Sequence, residues 1–510
     1  MNETEKAADQ KDGSSITLDA VVLICGAVVM IYELAGSRVV APFIGTSTYI
    51  WTSLIGVILG ALSLGYWFGG RMADRIPKKS VLASAILLAA GLIALTTLIK
   101  DPFLTAVSAF PARLEIKAVI AAVILFAPAS IALGFVTPYA VKLRMGSLGE
   151  AGRTVGRLYA LSTIGSIIGT FAEGFMLLPF FGSNRTLYLI TAALFLATFL
   201  LIPFRIDRKI ASVFIVLAFS VAANELTLYA MYRSIGFEDI DTEYSRVRVF
   251  RSTDPTTQRP IEAMTFDPHS TQSAMFVDSD NLVFEYTKFY HLIGVLKPDF
   301  QRSLMIGGAG YSFPKEYLAK YPRASLDVVE IDPALTDIAR KRFRLRDNER
   351  LRIFHEDGRV FLNRSDTAAY DVVMMDAFGS MFSVPYQLTT LEAVKQTDRT
   401  LTKDGVVIFN LGSAVRGDAS LFLQAEFATY KSVFPFVYVF KVRPERADDE
   451  LQNLMIIACK RVCLPASSTD SLIDSLLGRR YVTEFPVTVP IPTDDLSPVE
   501  RYMSIAQAEQ

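Results

Sequence analysis

Leu304-Met305-Ile306-Gly307-Gly308-Ala309-Gly310-Tyr311 is an apolar strand running into a glycine-rich turn. Glycines in that place let the backbone approach a ligand closely, at the carboxyl edge of the sheet where open α/β folds bind. The turn alone is weak evidence, and the strands that follow it carry the reading. Asp327-Val328-Val329-Glu330-Ile331-Asp332 brings an acid to a strand end about 20 positions after the glycines, where a carboxylate is placed to accept both hydroxyls of a ribose. The next strand ends at His355-Glu356-Asp357-Gly358, with Asp357 placed to accept from an adenine amino group. Tyr370-Asp371-Val372-Val373-Met374-Met375-Asp376 then delivers Asp376 to the same edge after four apolar residues.

A strand-terminal acid on its own is most often a helix N-cap. Three on successive strands beside a glycine turn favour a site. The spacing suits an S-adenosyl-type nucleoside better than a dinucleotide: no third glycine falls in register, and no Lys-Ser/Thr follows to hold phosphates.

Outward from this core, β-rich runs at Ser303–Ile306, Leu326–Val329, Val372–Met375, Val406–Asn410 and Leu454–Ala458 alternate with polar helical stretches. That alternation predicts a parallel sheet with helices on both faces, a Rossmann-like α/β domain of the class I S-adenosylmethionine-dependent methyltransferase type over 301–510. Ahead of it, Tyr244–Phe250 and Ile261–Asp267 read as antiparallel strands of a small β unit over 236–300.

The first half is of another kind. Hydrophobic residues make up 51% of the 510-residue chain and charged residues 20%, which is too apolar for an ordinary soluble enzyme. At the roughly 20 residues a helix needs to cross a bilayer, the apolar segments 17–36, 49–69, 81–99, 117–138, 159–180, 186–203 and 210–230 give about seven transmembrane helices over 17–235. Residues 1–16 form a polar tail, and 102–112, with Pro102 and Pro111, reads as a re-entrant or interfacial piece. Loop Lys and Arg number 13 on one side against 5 on the other, which puts the N-terminus in the cytoplasm and the chain in a cell inner membrane. Seven crossings then carry the C-terminal domain outside, whereas adenosyl donors are made inside.

Other classes fall away. The net charge of −1 gives no basic field for nucleic acid. Cys25, Cys459 and Cys463 are too few for a disulfide scaffold or a four-cysteine zinc site, and His269, His291 and His355 are too scattered for a metal centre. Cys459 and Cys463 flank a strand end, where a local disulfide requires an oxidising compartment. Intramembrane Glu173, among Gly165, Gly169 and Gly174, is a candidate for a polar path; the glycines themselves more often mark close helix packing.

From about residue 240 to 500 the chain resembles the polyamine aminopropyltransferases (spermidine synthase-like), and most closely the members fused to a multi-helix membrane domain. The resemblance is carried by Thr242-Glu243-Tyr244-Ser245-Arg246, by Phe266-Asp267 through Gln272, by Phe284-Glu285-Tyr286-Thr287 and by the strand-end motifs above. Thr493-Asp494-Asp495-Leu496-Ser497-Pro498 and, in the membrane half, Gly65-Tyr66-Trp67-Phe68-Gly69-Gly70-Arg71 are similar to the fused members as well. The resemblance implies decarboxylated S-adenosylmethionine as co-substrate, no prosthetic group and no metal, with methylthioadenosine as second product. It implies that Gly307, Gly308, Gly310 and Gly358 shape the donor site, that Glu330 holds the ribose and Asp357 the adenine, and that Gln272 lines the site. Asp376 becomes the catalytic acid residue and Tyr286 the acceptor-binding aromatic. Such an amine attacks only when neutral, while its pKa in water is about 10, so a carboxylate that orients the ammonium and takes its proton does both tasks.

Departures from the family pattern bear on the acceptor. The acid that soluble members carry in the glycine turn is Gly310 here, and the second acid after the catalytic one is Gly379. Tyr-His-Glu becomes Tyr286-Thr287-Lys288, and the Gln after the early Tyr is Ser245. Asp267, Asp278, Asp280 and Glu285 are the acids available to compensate, or are solvated surface groups. Partners are therefore a small-molecule amine or polyamine and the lipid bilayer; a homo-oligomer is compatible with the sequence. Two alternatives stay open: a methyltransferase using intact S-adenosylmethionine, and a membrane transporter or sensor whose degenerate domain binds a nucleoside or polyamine.

Overall fold

The computed structural model describes residues 3–145, 149, 151–202, 208–267, 270–377 and 384–508. His269 and Gly379 lie outside these described residues. The chain divides into two compact units, one of residues 1–110, 114–233 and 240–246 and one of 111–113, 234–239 and 247–510.

Up to residue 235 the described elements are all helices: α1 (Glu3–Ile44), α2 (Thr48–Arg75), α3 (Lys79–Ala109), α4 (Leu114–Leu125), α5 (Ala127–Gly134), α6 (Val136–Arg144), α7 (Ala151–Ala172), α8 (Leu178–Leu201) and α9 (Arg208–Ile235). Only helices or closed barrels satisfy their backbone groups without water, so apolar runs of this length take that form. Five helical stretches are long and apolar enough to cross a membrane, or six if the pair Leu114–Leu125 and Ala127–Arg144, bent by 50°, counts as one. Segment 159–180 and all but the last two residues of segment 186–203 fall within a single 51-residue stretch, Ala151–Leu201. At about 1.5 Å per residue that is more than twice the roughly 30 Å of a hydrocarbon core. It is interrupted by a π-turn at Glu173–Leu177 and by Gly182, whose φ of 73° and ψ of 173° are not helical. Residues 102–109, expected as a separate re-entrant piece, instead continue α3, which runs through Pro102 to Ala109.

Helix contacts in this unit are backbone-close. A Cβ on Gly165 would stand 2.1 Å from the Leu23 carbonyl oxygen, and one on Gly169 2.3 Å from that of Ala27. These two glycines therefore seat α7 against α1. At the α4–α5 bend the Leu125 carbonyl accepts from the Tyr32 hydroxyl at 2.8 Å and from the Thr96 hydroxyl at 3.0 Å. Glu173 is buried, and neither of its carboxylate oxygens has a hydrogen-bond partner among the described residues.

The strands make two sheets. β1 (Glu238–Asp241), β2 (Arg246–Thr253), β3 (Pro260–Thr265) and β4 (Ser273–Phe276) lie in that order, with β2–β3 and β3–β4 antiparallel. The second sheet contains β5 (Arg302–Ile306), β6 (Ser325–Val329), β7 (Leu351–Phe354), β8 (Tyr370–Met375), β9 (Leu401–Ser413), β10 (Phe436–Lys441), β11 (Gln452–Cys459) and β12 (Arg480–Tyr481). Its order is β12-β10-β11-β9-β8-β5-β6-β7. β5 to β9 pair in parallel, and their central members are apolar on both faces, as strands covered on two sides must be.

One expected strand runs the other way. Leu454–Ala458 belongs to β11, antiparallel to both β9 and β10. The connection from β10 spans only residues 442–451, too short for the crossover that a parallel neighbour requires. Cys459, at the end of β11, is disulfide-bonded to Cys463.

Candidate active site

The strand order creates the site. From β5 the chain builds outward through β6 to β7, then returns to the other flank of β5 with β8 and continues to β9. The carboxyl ends of β5 and β8 thus border the crevice where order reverses, the place at which open α/β sheets take ligands. Ile306 pairs with Met375 in parallel register, so the next residues, Gly307 and Asp376, meet at the edge. The Asp376 N–H donates to the Ile306 carbonyl at 2.8 Å, and that of Gly307 to Val329 at 2.8 Å. Gly307 adopts φ of 98°, and a Cβ there would lie 2.2 Å from the Asp376 carbonyl oxygen. Glycine is required on both counts.

Glu330 organises this turn. One of its oxygens accepts from the N–H groups of Gly308 at 2.8 Å and Ala309 at 3.0 Å, the other from Asp332 at 3.1 Å. Burial pushes its carboxyl up, and these three donors pull it part of the way back. Its side chain is thus turned to the backbone of the glycine loop and is not among the residues lining the cleft. Asp357 is the N-cap of the helix Gly358–Arg364, accepting from Arg359 at 2.8 Å and Val360 at 3.0 Å, while Gln387 donates to its second oxygen at 3.2 Å. Gly358, buried, opens that helix. Asp357, too, stands outside the cleft lining.

The cleft, of about 150 Å³, is bordered by Gly307 and Gly308, by Gln272, Tyr286 and Asp376, and by Asn410 and Asn453. Gln272 is locked, accepting from the Phe266 N–H at 2.8 Å and donating to Asp267 and Ser270, each at 2.7 Å. Tyr286 stacks on Phe284 with centroids 5.9 Å apart and meets Tyr290 edge-on at 6.4 Å. Gly310 sits under β4: a Cβ there would stand 2.3 Å from the Ser273 hydroxyl oxygen. Ser273 therefore occupies the space that an acidic side chain at position 310 would need.

Asp376 accepts from the Asn410 amide at 2.9 Å, and the oxygen of that amide accepts from Asn453 at 3.0 Å. The relay fixes which way both amides face. Burial pushes the Asp376 carboxyl up to about 6, against the pull of Asn410 and of the Tyr290 and Tyr286 phenols. Both phenols are in turn held well above their ordinary range, by burial first and then by the facing carboxylate. The Tyr290 hydroxyl bears on that charge without an aligned hydrogen bond: it is buried and has no partner among the described residues. An Asp in this state is ionised at neutral pH yet takes a proton readily.

Asn410, Asn453 and Tyr290 were not singled out in the sequence. A signal for Asn410 was present: it ends the apolar run Val406–Phe409, and Phe409 pairs with Met375, which sets Asn410 level with Asp376. Asn453 reaches the site only because β11 is antiparallel to β9, which no local pattern announces. The four acids considered as compensating groups turn elsewhere. Asp278 pairs with Arg259, Asp280 with Arg344 at 3.0 Å, Glu285 with Lys288 and with Arg479 at 3.3 Å, and Asp267 accepts from Gln272 and Ser270.

Comparison with known proteins agrees with this geometry. Residues 282–442 match the spermine/spermidine synthase domain. A polyamine aminopropyltransferase of Vibrio vulnificus is 28% identical over 246 residues, covering 47% of this chain and 79% of that protein. Polyamine aminopropyltransferase 1 of Streptomyces coelicolor is 25% identical over 433 residues, 79% of this chain and 76% of the relative. An eEF1A lysine and N-terminal methyltransferase of Xenopus laevis matches more locally, at 30% over 169 residues, 31% of this chain and 23% of that protein. The C-terminal half of the chain thus carries a spermine/spermidine synthase domain, and the chain is a relative of the polyamine aminopropyltransferases.

Proposed function

We propose that the chain is an aminopropyltransferase: it moves the aminopropyl group of decarboxylated S-adenosylmethionine to an amine and releases methylthioadenosine. The observation that carries this is Asp376, a buried carboxylate fixed by Asn410 at the edge shared with the glycine turn. In the reaction the amine nitrogen's lone pair forms the new N–C bond as the C–S bond breaks. The departing pair neutralises the sulfonium, and the surplus proton on nitrogen passes to Asp376. An acid shifted upward, to about 6, accepts that proton at lower cost than one near its usual 3.8. The test is mass spectrometry of the purified full chain, in detergent, incubated with an amine panel and each donor in turn. An aminopropylated amine with methylthioadenosine is expected. A methylated product from intact S-adenosylmethionine would instead move the chain to the methyltransferases.

We further propose that the helical unit crosses a cell inner membrane seven times, with the N-terminus in the cytoplasm and the transferase domain outside. Two features support this count beyond loop charge. The 51-residue stretch is too long for one crossing and breaks at Gly182, and Cys459 and Cys463 are bonded, as suits an oxidising compartment. Alkaline phosphatase fused after Gln510 is expected to be active and a fluorescent reporter at the same place dark; the reverse pair would remove one crossing.

A further inference from the structure

Resting on the aminopropyl-transfer reading, we infer that the acceptor bears a single ammonium group, and that its remainder is uncharged and largely apolar. Among the described residues that line the cleft, Asp376 is the one that carries a charge. Every other polar group there is a neutral hydroxyl, amide or backbone group, and the walls include Val283, Phe284, Val384 and Phe422. The neighbouring undescribed positions, 268–269 and 378–383, contain no Asp or Glu. The acids around the cleft among the described residues are engaged: Asp278 and Asp280 by arginines, Glu285 by Lys288 and Arg479, Asp267 by its own loop, and Glu330 by the N–H groups of Gly308, Ala309 and Asp332.

The donor adds to the imbalance. Decarboxylated S-adenosylmethionine brings a sulfonium and an ammonium of its own, and Ser273 leaves no room in the glycine turn for an acidic side chain at position 310. An acceptor with two ammonium groups would therefore leave one desolvated with no counter-charge, and an unpaired buried charge is strongly disfavoured. One ammonium, by contrast, finds Asp376, and an alkyl chain behind it finds the apolar walls.

The experiment compares n-butylamine with 1,4-diaminobutane, acceptors of equal chain length that differ by one ammonium. Full-length protein with decarboxylated S-adenosylmethionine at pH 8 is followed by methylthioadenosine release. The monoamine is expected to show at least ten-fold higher kcat/KM; a diamine that equals or exceeds it overturns the inference while leaving aminopropyl transfer standing. Calorimetric titration of the two amines into methylthioadenosine-loaded protein reads the same preference without turnover. Tighter binding of the monoamine there supports the single-charge site even if transfer chemistry fails, and tighter binding of the diamine overturns it.

Discussion

Asp376→Asn is expected to lower kcat for methylthioadenosine release by about a thousand-fold, within the range seen for losing a general base that also holds charge. The amide is isosteric, and its oxygen still accepts from Asn410, so the relay to Asn453 survives and the fold with it. Stability should move in the opposite direction to activity. The folded protein holds the Asp376 carboxyl at about 6 against an ordinary 3.8, so it binds this proton more tightly than the unfolded chain does. Stability is therefore lost as pH rises from about 4 to about 6, by roughly 3 kcal/mol once the group is ionised. The Asn variant escapes that loss: its Tm should match the wild type at pH 4.5 more closely than at pH 8, where it should be higher. For the wild type, kcat/KM should fall about ten-fold per unit below pH 6. A variant that keeps more than a tenth of the activity would sink the role assigned to Asp376. A membrane sensor would keep its ligand response after this substitution, which separates that alternative from an enzyme.

The site's location was legible because strand ends are legible. Four apolar runs, each closing on an acid or a glycine turn, place their terminal residues on one edge of a parallel sheet, and the structure puts Gly307 and Asp376 side by side there. The structure adds which protein groups each acid meets. Glu330 serves the N–H groups of the turn and Asp357 caps a helix, because unpaired backbone donors at those places compete for any carboxylate within reach. Strand direction was not legible for Leu454–Ala458: burial on both faces dictates an apolar run whether the neighbour is parallel or not. In the helical half, composition gave the apolar segments, but not that α3 carries on through Pro102. Helix breaks follow from neighbours that can satisfy the freed carbonyls, as Tyr32 and Thr96 do at Leu125, and those neighbours are distant in sequence.

Gly307→Ala is expected to be the most damaging single methyl group in the transferase domain. A left-handed φ of 98° costs an alanine of the order of 1–3 kcal/mol by itself. The added Cβ would also lie 2.2 Å from the Asp376 carbonyl oxygen and 2.7 Å from its carbon. Backbone atoms of a central strand end cannot rotate aside, so β5 and β8 must part or the turn must rebuild. Together these effects should destabilise the fold by roughly 3–5 kcal/mol, in the upper tail for single substitutions. Gly294→Ala is the control, since its nearest neighbour, the Tyr321 hydroxyl, would stand 3.6 Å from the new Cβ and no strain arises. That variant should stay within about 0.5 kcal/mol of the wild type. Scanning fluorimetry of the full chain gives the stability difference, and methylthioadenosine release per folded molecule gives the chemical one. Activity should fall even in the fraction that folds, because the contact that excludes a Cβ is the one that holds the Asp376 backbone against the turn. A Gly307→Ala protein as stable and as active as the wild type would show that this close approach does not position the carboxylate.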